Sequence, residues 1–166
     1  MRAAAASVAL LLAGCSSFSG FQPATPEGYD GPTVNVADQA VPIDGNLVHV
    51  FEMTQVDGRR LLSTSIATVQ AHRGRGFSEA PVALTNELPP RPARVQLQVA
   101  TQYAAPLLAL QNRTCRNFGE VGFAPEAGRR YVVNGRIAAD ACEAWIEDAV
   151  TRQPVTDKVT GPGTQR

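Results

Sequence analysis

Lysine is almost missing from this 166-residue chain: Lys158 stands alone among fifteen basic residues, the rest being arginine. With abundant alanine, this matches a GC-rich genome rather than a selected chemistry. Histidine is nearly as scarce. His49 and His72 lie far apart, and with three cysteines they offer too few ligands for a zinc or related metal site. No Gly-x-Ser-x-Gly elbow and no His-Glu-x-x-His helix is present. Adjacent acids such as Glu147 and Asp148 lack the spacing of a calcium loop and read as a solvated turn. No segment has the period of a long amphipathic helix, and no internal repeat is evident. The only extended apolar run, Ala3–Ala13, is too short to span a bilayer as a permanent helix. These absences remove the recognised catalytic constellations, cofactor motifs and membrane-spanning segments.

What is present begins at the N-terminus. Arg2 and the free amino group form a small positive region, followed by the apolar run and the small residues Ala13 and Gly14, which is the layout of a secretory signal. The tetrapeptide Leu12-Ala13-Gly14-Cys15 resembles the lipobox of bacterial lipoproteins. That resemblance implies cleavage between Gly14 and Cys15 and a diacylglycerol on the Cys15 thiol. It also implies a further acyl chain, of palmitate type, on the new amino terminus. Two or three chains suffice for stable anchoring, each buried methylene contributing about 0.8 kcal/mol. Ser16, where inner-membrane lipoproteins of enteric-type bacteria often carry Asp, implies the outer membrane, facing the periplasm, if the organism is Gram-negative.

With Cys15 assigned to lipid, Cys115 and Cys142 remain, and export delivers them to an oxidising space. The expectation is one disulfide closing a loop of about 28 residues, contributing roughly 3–4 kcal/mol in the chain-entropy model. Removal of residues 1–14 leaves 152 residues, enough for one domain. Residues 15–33, rich in Ser, Gly and Pro, read as a lipidated flexible tether; 34–160 form the domain, and 161–166 a disordered tail.

Charge is balanced in total but unevenly placed. Residues 16–58 hold six acids and no Lys or Arg, whereas residues 59–118 hold eight arginines against Glu79 and Glu87. Either the two segments neutralise each other in the fold, or the arginines form a patch for an anionic envelope polymer such as lipopolysaccharide. An exported protein rarely meets nucleic acid, so that partner is not expected.

The domain reads as all-β. Strands are expected at Thr33–Ala40, Leu47–Val56 and, after an Asp57-Gly58 hairpin turn, Leu61–Val69. A short one is expected at Val82–Thr85, and Arg94–Tyr103 alternates apolar residues with Gln96, Gln98 and Gln102. Phe118–Phe123 is expected to pair with Tyr131–Ala138, then come Ala141–Glu147 and an edge strand at Val155–Val159. Pro106–Leu110 is ambiguous between helix and strand. About seven to eight short strands with turns every 8–12 residues predict an antiparallel sandwich, immunoglobulin-like or transthyretin-like.

Three places carry candidate function. In the loop 71–77, Arg73 and Arg75, spaced by glycine beside His72 and Phe77, present guanidinium forks suited to phosphate or carboxylate, or else form a solvated turn. Trp145 shares a strand face with Glu143 and Glu147 and is an interface anchor unless another segment covers it. His49 alternates with Leu47, Phe51 and Met53 and reads as a packed histidine rather than a base. The chain is therefore expected to be a lipid-anchored, non-enzymatic binding or structural module needing no cofactor and no metal. The alternatives are an inhibitor or accessory subunit of an envelope hydrolase, secretion or transport complex, and an enzyme of unrecognised type.

Overall fold

The computed structural model describes residues 20–72 and 81–164. Cys15 and Gly14, expected to be the lipidation and cleavage site, and Arg73 and Arg75 lie outside the described residues.

Among the described residues, ten strands and two short helices form a β-sandwich. The strands are β1 (Val34–Ala37), β2 (Gln39–Asp44), β3 (Leu47–Val56), β4 (Arg59–Arg60), β5 (Thr85–Leu88), β6 (Ala93–Tyr103), β7 (Arg116–Phe123), β8 (Arg130–Ile137), β9 (Ala141–Asp148) and β10 (Val159–Pro162). The helices are α1 (Thr64–Ala71) and α2 (Pro106–Gln111). One sheet, A, runs β10-β9-β8-β1-β5; the other, B, runs β2-β3-β6-β7, with β4 also on β3. Pairing is antiparallel except between β1 and β8. Alternation within the strands builds the core: Phe51 and Met53 from β3, Leu97 and Val99 from β6, Val133 from β8 and Ile146 from β9 meet between the sheets.

The all-β sandwich expected from the alternation is present, with ten strands rather than seven or eight. Three local expectations are overturned. Leu61–Val69 is not a strand. Asp57 and Gly58 do turn the chain, both with positive φ (47° and 79°), but the returning strand is only Arg59–Arg60. The reason is occupancy: β2 pairs with β3 from Leu47 to Phe51 and β6 holds its other edge, so only Gln55 and Val56 are free for β4. The following residues coil into α1 instead.

The second correction concerns β7 and β8, which were expected to pair. The chain from Ala124 to Arg129 crosses from one sheet to the other, so β7 pairs with β6 while β8 pairs with β9 and β1. The rings of Phe123 and Tyr131 then meet edge to face across the core, 5.0 Å apart, a geometry that adds to their burial. Thirdly, the edge strand expected at Val155–Val159 and the short one at Val82–Thr85 both form a few residues later, as β10 and β5. Strand β10 extends into the stretch expected to be tail. The ambiguous Pro106–Leu110 is helical, with Pro at the first turn, where its missing N–H costs nothing.

Residues 20–33, read from sequence as part of a tether, lie along the domain as a strap. Ala24 is in the core, the Gln22 amide donates to the Arg60 carbonyl at 2.8 Å, Arg59 Nη2 donates to the Ala24 carbonyl at 2.8 Å, and Thr25 Oγ1 donates to the Glu87 carbonyl on edge strand β5. This covers an edge that would otherwise present unpaired backbone groups. Cys115, just before β7 of sheet B, and Cys142 of sheet A's β9 are both buried and disulfide-bonded, with Cα atoms 6.3 Å apart. One covalent link thus joins the two layers.

Candidate functional site

The outer face of sheet B carries the site. Up to Met53 the odd-numbered residues of β3 point into the sandwich, so Val48, Val50 and Glu52 face outward beside Gln102, Ala100 and Gln98 of β6. A register shift after Met53 then puts Gln55 opposite Gln96 and Val56 in the core. Strand β7 adds Arg116, Phe118 and Glu120, opposite Ala100, Gln98 and Gln96. A helix with little apolar stripe would not cover such a surface by burial alone. Helix α1 is held there by polar contacts.

Two carboxylates hold it. Glu52 accepts hydrogen bonds from the Ser65 amide at 2.7 Å, from Ser65 Oγ at 2.9 Å and from Gln98 Nε2 at 3.0 Å. It thereby satisfies a free amide in the first turn of α1, as a capping side chain would. Asp38, where the chain passes from sheet A to sheet B, accepts from the Met53 amide and from Thr64 Oγ1, both at 2.9 Å. Thr64 Oγ1 in turn accepts from the Leu84 amide, and Thr68 Oγ1, one turn on, accepts from the Val82 amide. The side chains of Thr64 and Thr68 are thus buried yet satisfied. Burial pushes the Asp38 carboxyl up to about 7, partly offset by its donors, with the nearby Glu52 charge adding to the rise. Burial also raises Glu52, while Ser65 and Arg116 act against it. Every oxygen of the pair is engaged, and the two carboxyls anchor α1.

Beside α1 the sheet face forms a groove in two connected parts. One, of about 390 Å³, is walled by Ile66, Val69 and Gln70 of the helix against Gln98, Gln102 and Arg116. The other, of about 250 Å³, extends over Gln96 to Arg60, Leu61 and Phe118. Arg116 and Gln98 border both parts. Arg60, Arg116 and Phe118 are exposed, Phe118 to 63%. Among the described residues, neither Arg60 nor Arg116 has a carboxylate within ion-pair distance, although Arg60 stacks over Phe21 at 5.0 Å. Amides with spare donors and acceptors, the exposed Arg60 and Arg116 guanidinium groups and an exposed ring, with Glu52 also lining the groove, make a surface able to take an anionic, partly apolar ligand.

The sequence-derived candidates lie elsewhere. Trp145 is on the outer face of sheet A, between Glu143 and Glu147 as its alternation predicts. It is half-buried: Lys158 Nζ sits 4.6 Å from its ring centroid, and its indole N–H donates to Glu147 at 3.2 Å. His49 points along the inner face with Leu47 and Phe51, and burial lowers its pKa. The recess around it contains Thr101, Tyr103, Asn112 and Arg113 and, among the described residues, no serine or carboxylate. His72 caps the C-terminus of α1, its amide donating to the Thr68 carbonyl.

The sequence places Arg60 and Arg116 among the eight arginines of residues 59–118, one reading of which is a patch for an anionic partner, without singling them out, and sequence reasoning missed Phe118. A signal existed for Phe118: in Phe118–Phe123 it alternates with Glu120, opposite Val121 and Phe123, which marks it as an outward aromatic on a polar face. No cluster of three or more metal-ligating side chains occurs among the described residues, and no helix among them is long and apolar enough to cross a membrane. Comparison with protein-family models, curated proteins and solved structures finds no match to this chain.

Proposed function

We propose that the protein is a bacterial envelope lipoprotein, anchored through lipid on Cys15 and acting as a non-enzymatic binding module. Its ligand surface is the groove between α1 and β7, and the ligand is an envelope component bearing anionic groups. One observation carries this reading: Arg60 and Arg116 border one groove with no carboxylate partner among the described residues, beside the exposed Phe118. Two arginines without a carboxylate at ion-pair distance, grouped in one groove beside an exposed ring, are what anion recognition needs. The outer membrane, periplasmic side, is the proposed location in a Gram-negative cell.

Two measurements test it. Intact-mass analysis of the mature protein should find Cys15 at the N-terminus bearing lipid; an unmodified cysteine there contradicts the anchor. Arg116→Gln should weaken retention of the domain on isolated envelope material, the difference from wild type being largest at low salt and shrinking as salt screens the attraction. Retention equal to wild type contradicts the groove.

The reading as an accessory or inhibitory subunit has its own support. Leu107 and Leu110 lie on one face of α2 at 61% and 84% exposure, and Ile43 is 50% exposed at the same end of the sandwich, where the Ala104 amide meets the Asn46 carbonyl. Co-purification of a stoichiometric protein partner that is lost in Leu107→Ser/Leu110→Ser would favour it over the groove.

A further inference from the structure

The docked strap has a consequence for where the groove sits. An extended chain spans at most about 3.5 Å per residue, so a free tether from Cys15 to Thr33 would reach roughly 60 Å. Gly20 instead begins the strap, and Phe21 and Gln22 are fixed on Arg60, one wall of the groove. From Cys15 to Gly20 the same arithmetic gives a reach of about 17 Å. A lipid on Cys15 therefore holds Gly20 within that distance of the bilayer, and the Arg60 end of the groove, bonded to Gln22, within about 25 Å, whatever path the intervening residues take.

The surface at this exit suits a membrane interface. Phe21 and Phe118 supply apolar bodies, and Arg60 and Arg116 supply guanidinium groups not committed to carboxylates among the described residues. The acids nearby are taken up: Glu52 lies beneath, bonded to Ser65 and Gln98, and Glu120 pairs with Arg94. Leu107, Leu110 and Ile43 are at the opposite end, by the Asn46 turn, away from the anchor.

We infer that the face formed by Phe21, Arg60, Arg116 and Phe118 rests on the bilayer that holds the anchor, and that the anionic group taken by the groove is a lipid headgroup of that membrane. This rests on the lipoprotein reading above and deepens it. Each arginine near an anionic surface contributes about 1 kcal/mol, roughly fivefold in headgroup contact. With the lipid supplying the first anchor, two arginines suffice to set orientation.

Trp145 is the single tryptophan and lies on the other sheet's outer face, which permits a direct test. The lipidated full-length protein and its Phe118→Trp/Trp145→Phe variant are reconstituted in phosphatidylcholine vesicles with or without phosphatidylglycerol, and quenching by brominated lipid is measured. The expected result is strong quenching and a blue shift at position 118 when phosphatidylglycerol is present, with little quenching of Trp145 in the wild type. Adding Arg60→Gln and Arg116→Gln should each reduce quenching at 118 by up to about fivefold while the protein still sediments with vesicles. Protein that does not sediment at all overturns the anchor. Protein that sediments with position 118 unquenched, or with both positions quenched alike, overturns the membrane-facing groove alone. A response at 118 to soluble lipopolysaccharide but not to phosphatidylglycerol vesicles overturns the headgroup assignment in favour of a free polyanion.

Discussion

The two outer faces of the sandwich handle charge in opposite ways. On sheet A, Arg136 and Lys158 both approach Glu143, Arg152 pairs with Glu147, and Arg129 pairs with Asp148. Trp145 is folded into that network beneath Lys158. On sheet B, Arg94 pairs with Glu120, Glu52 and Asp38 grip the start of α1, and Arg60 and Arg116 lie beside the groove with no carboxylate within ion-pair distance among the described residues. Sheet A spends its acids on four cations and keeps Arg130 without an ion pair among the described residues, whereas sheet B keeps Arg60 and Arg116 together beside a groove. Arginine content alone does not mark a binding surface; pairing decides it.

The largest expected effect falls on both faces at once. Cys115→Ser/Cys142→Ser removes the covalent link between the sheets and should destabilise the protein by about 3–4 kcal/mol in denaturant unfolding. Next comes a change confined to sheet B. Glu52→Ala leaves the first-turn amide of α1 and the Gln98 amide without their acceptor, costing about 2–4 kcal/mol. Hydrogen exchange should then rise over residues 64–71 and stay protected in β9. Equal loss of protection in both would dissolve the distinction between the faces.

A third prediction sets the two faces against each other in pH. Asp38 is pushed up to about 7, so the native state holds a proton that the unfolded chain gives up near 4. Stability should fall as pH rises between those values, by at most about 1.4 kcal/mol per unit. Asp148 behaves in reverse. Amides of Thr151 and Val150, with Arg129, lower it to about 2, so its contribution is present above its unfolded value near 4 and lost as pH falls through 2. Thermal unfolding across pH should therefore peak on the acid side of neutrality. Asp38→Asn should flatten the upper limb and Asp148→Asn the lower; a single variant that flattens both would show one coupled network. The smallest effect is expected from Lys158→Gln, which should cost about 0.5–1 kcal/mol through the lost ring contact and leave groove binding unchanged.

Much of the sandwich was legible because β3, β6 and β9 alternate cleanly, and alternation is a local property of the chain. The Cys142-Ala144-Ile146 face was legible for the same reason. Helix α1 was hidden because Leu61–Val69, with its Thr, Ile and Val, has the composition of a strand; its conformation is decided by Asp38, Glu52 and the amides of Val82 and Leu84, all distant in sequence. The strap was hidden too. Its Ser, Gly and Pro residues suit a tether, and only the pocket for Ala24 and the Arg59 and Arg60 contacts fix it. Arg60 and Arg116 could not be told apart from the other arginines of residues 59–118, because an arginine without an ion pair is defined by what it fails to meet, and that depends on the fold. Trp145 is on the face its alternation predicts, and its cover comes from Lys158, just before β10, and from Glu147 of its own strand.

The contrast between the faces is tested most directly by placing a photoreactive phenylalanine analogue at position 118 or at position 145 and irradiating intact cells. The account predicts an adduct with an envelope component from position 118, diminished by Arg116→Gln, and little or none from position 145. Strong crosslinking from 145 with none from 118 would contradict it.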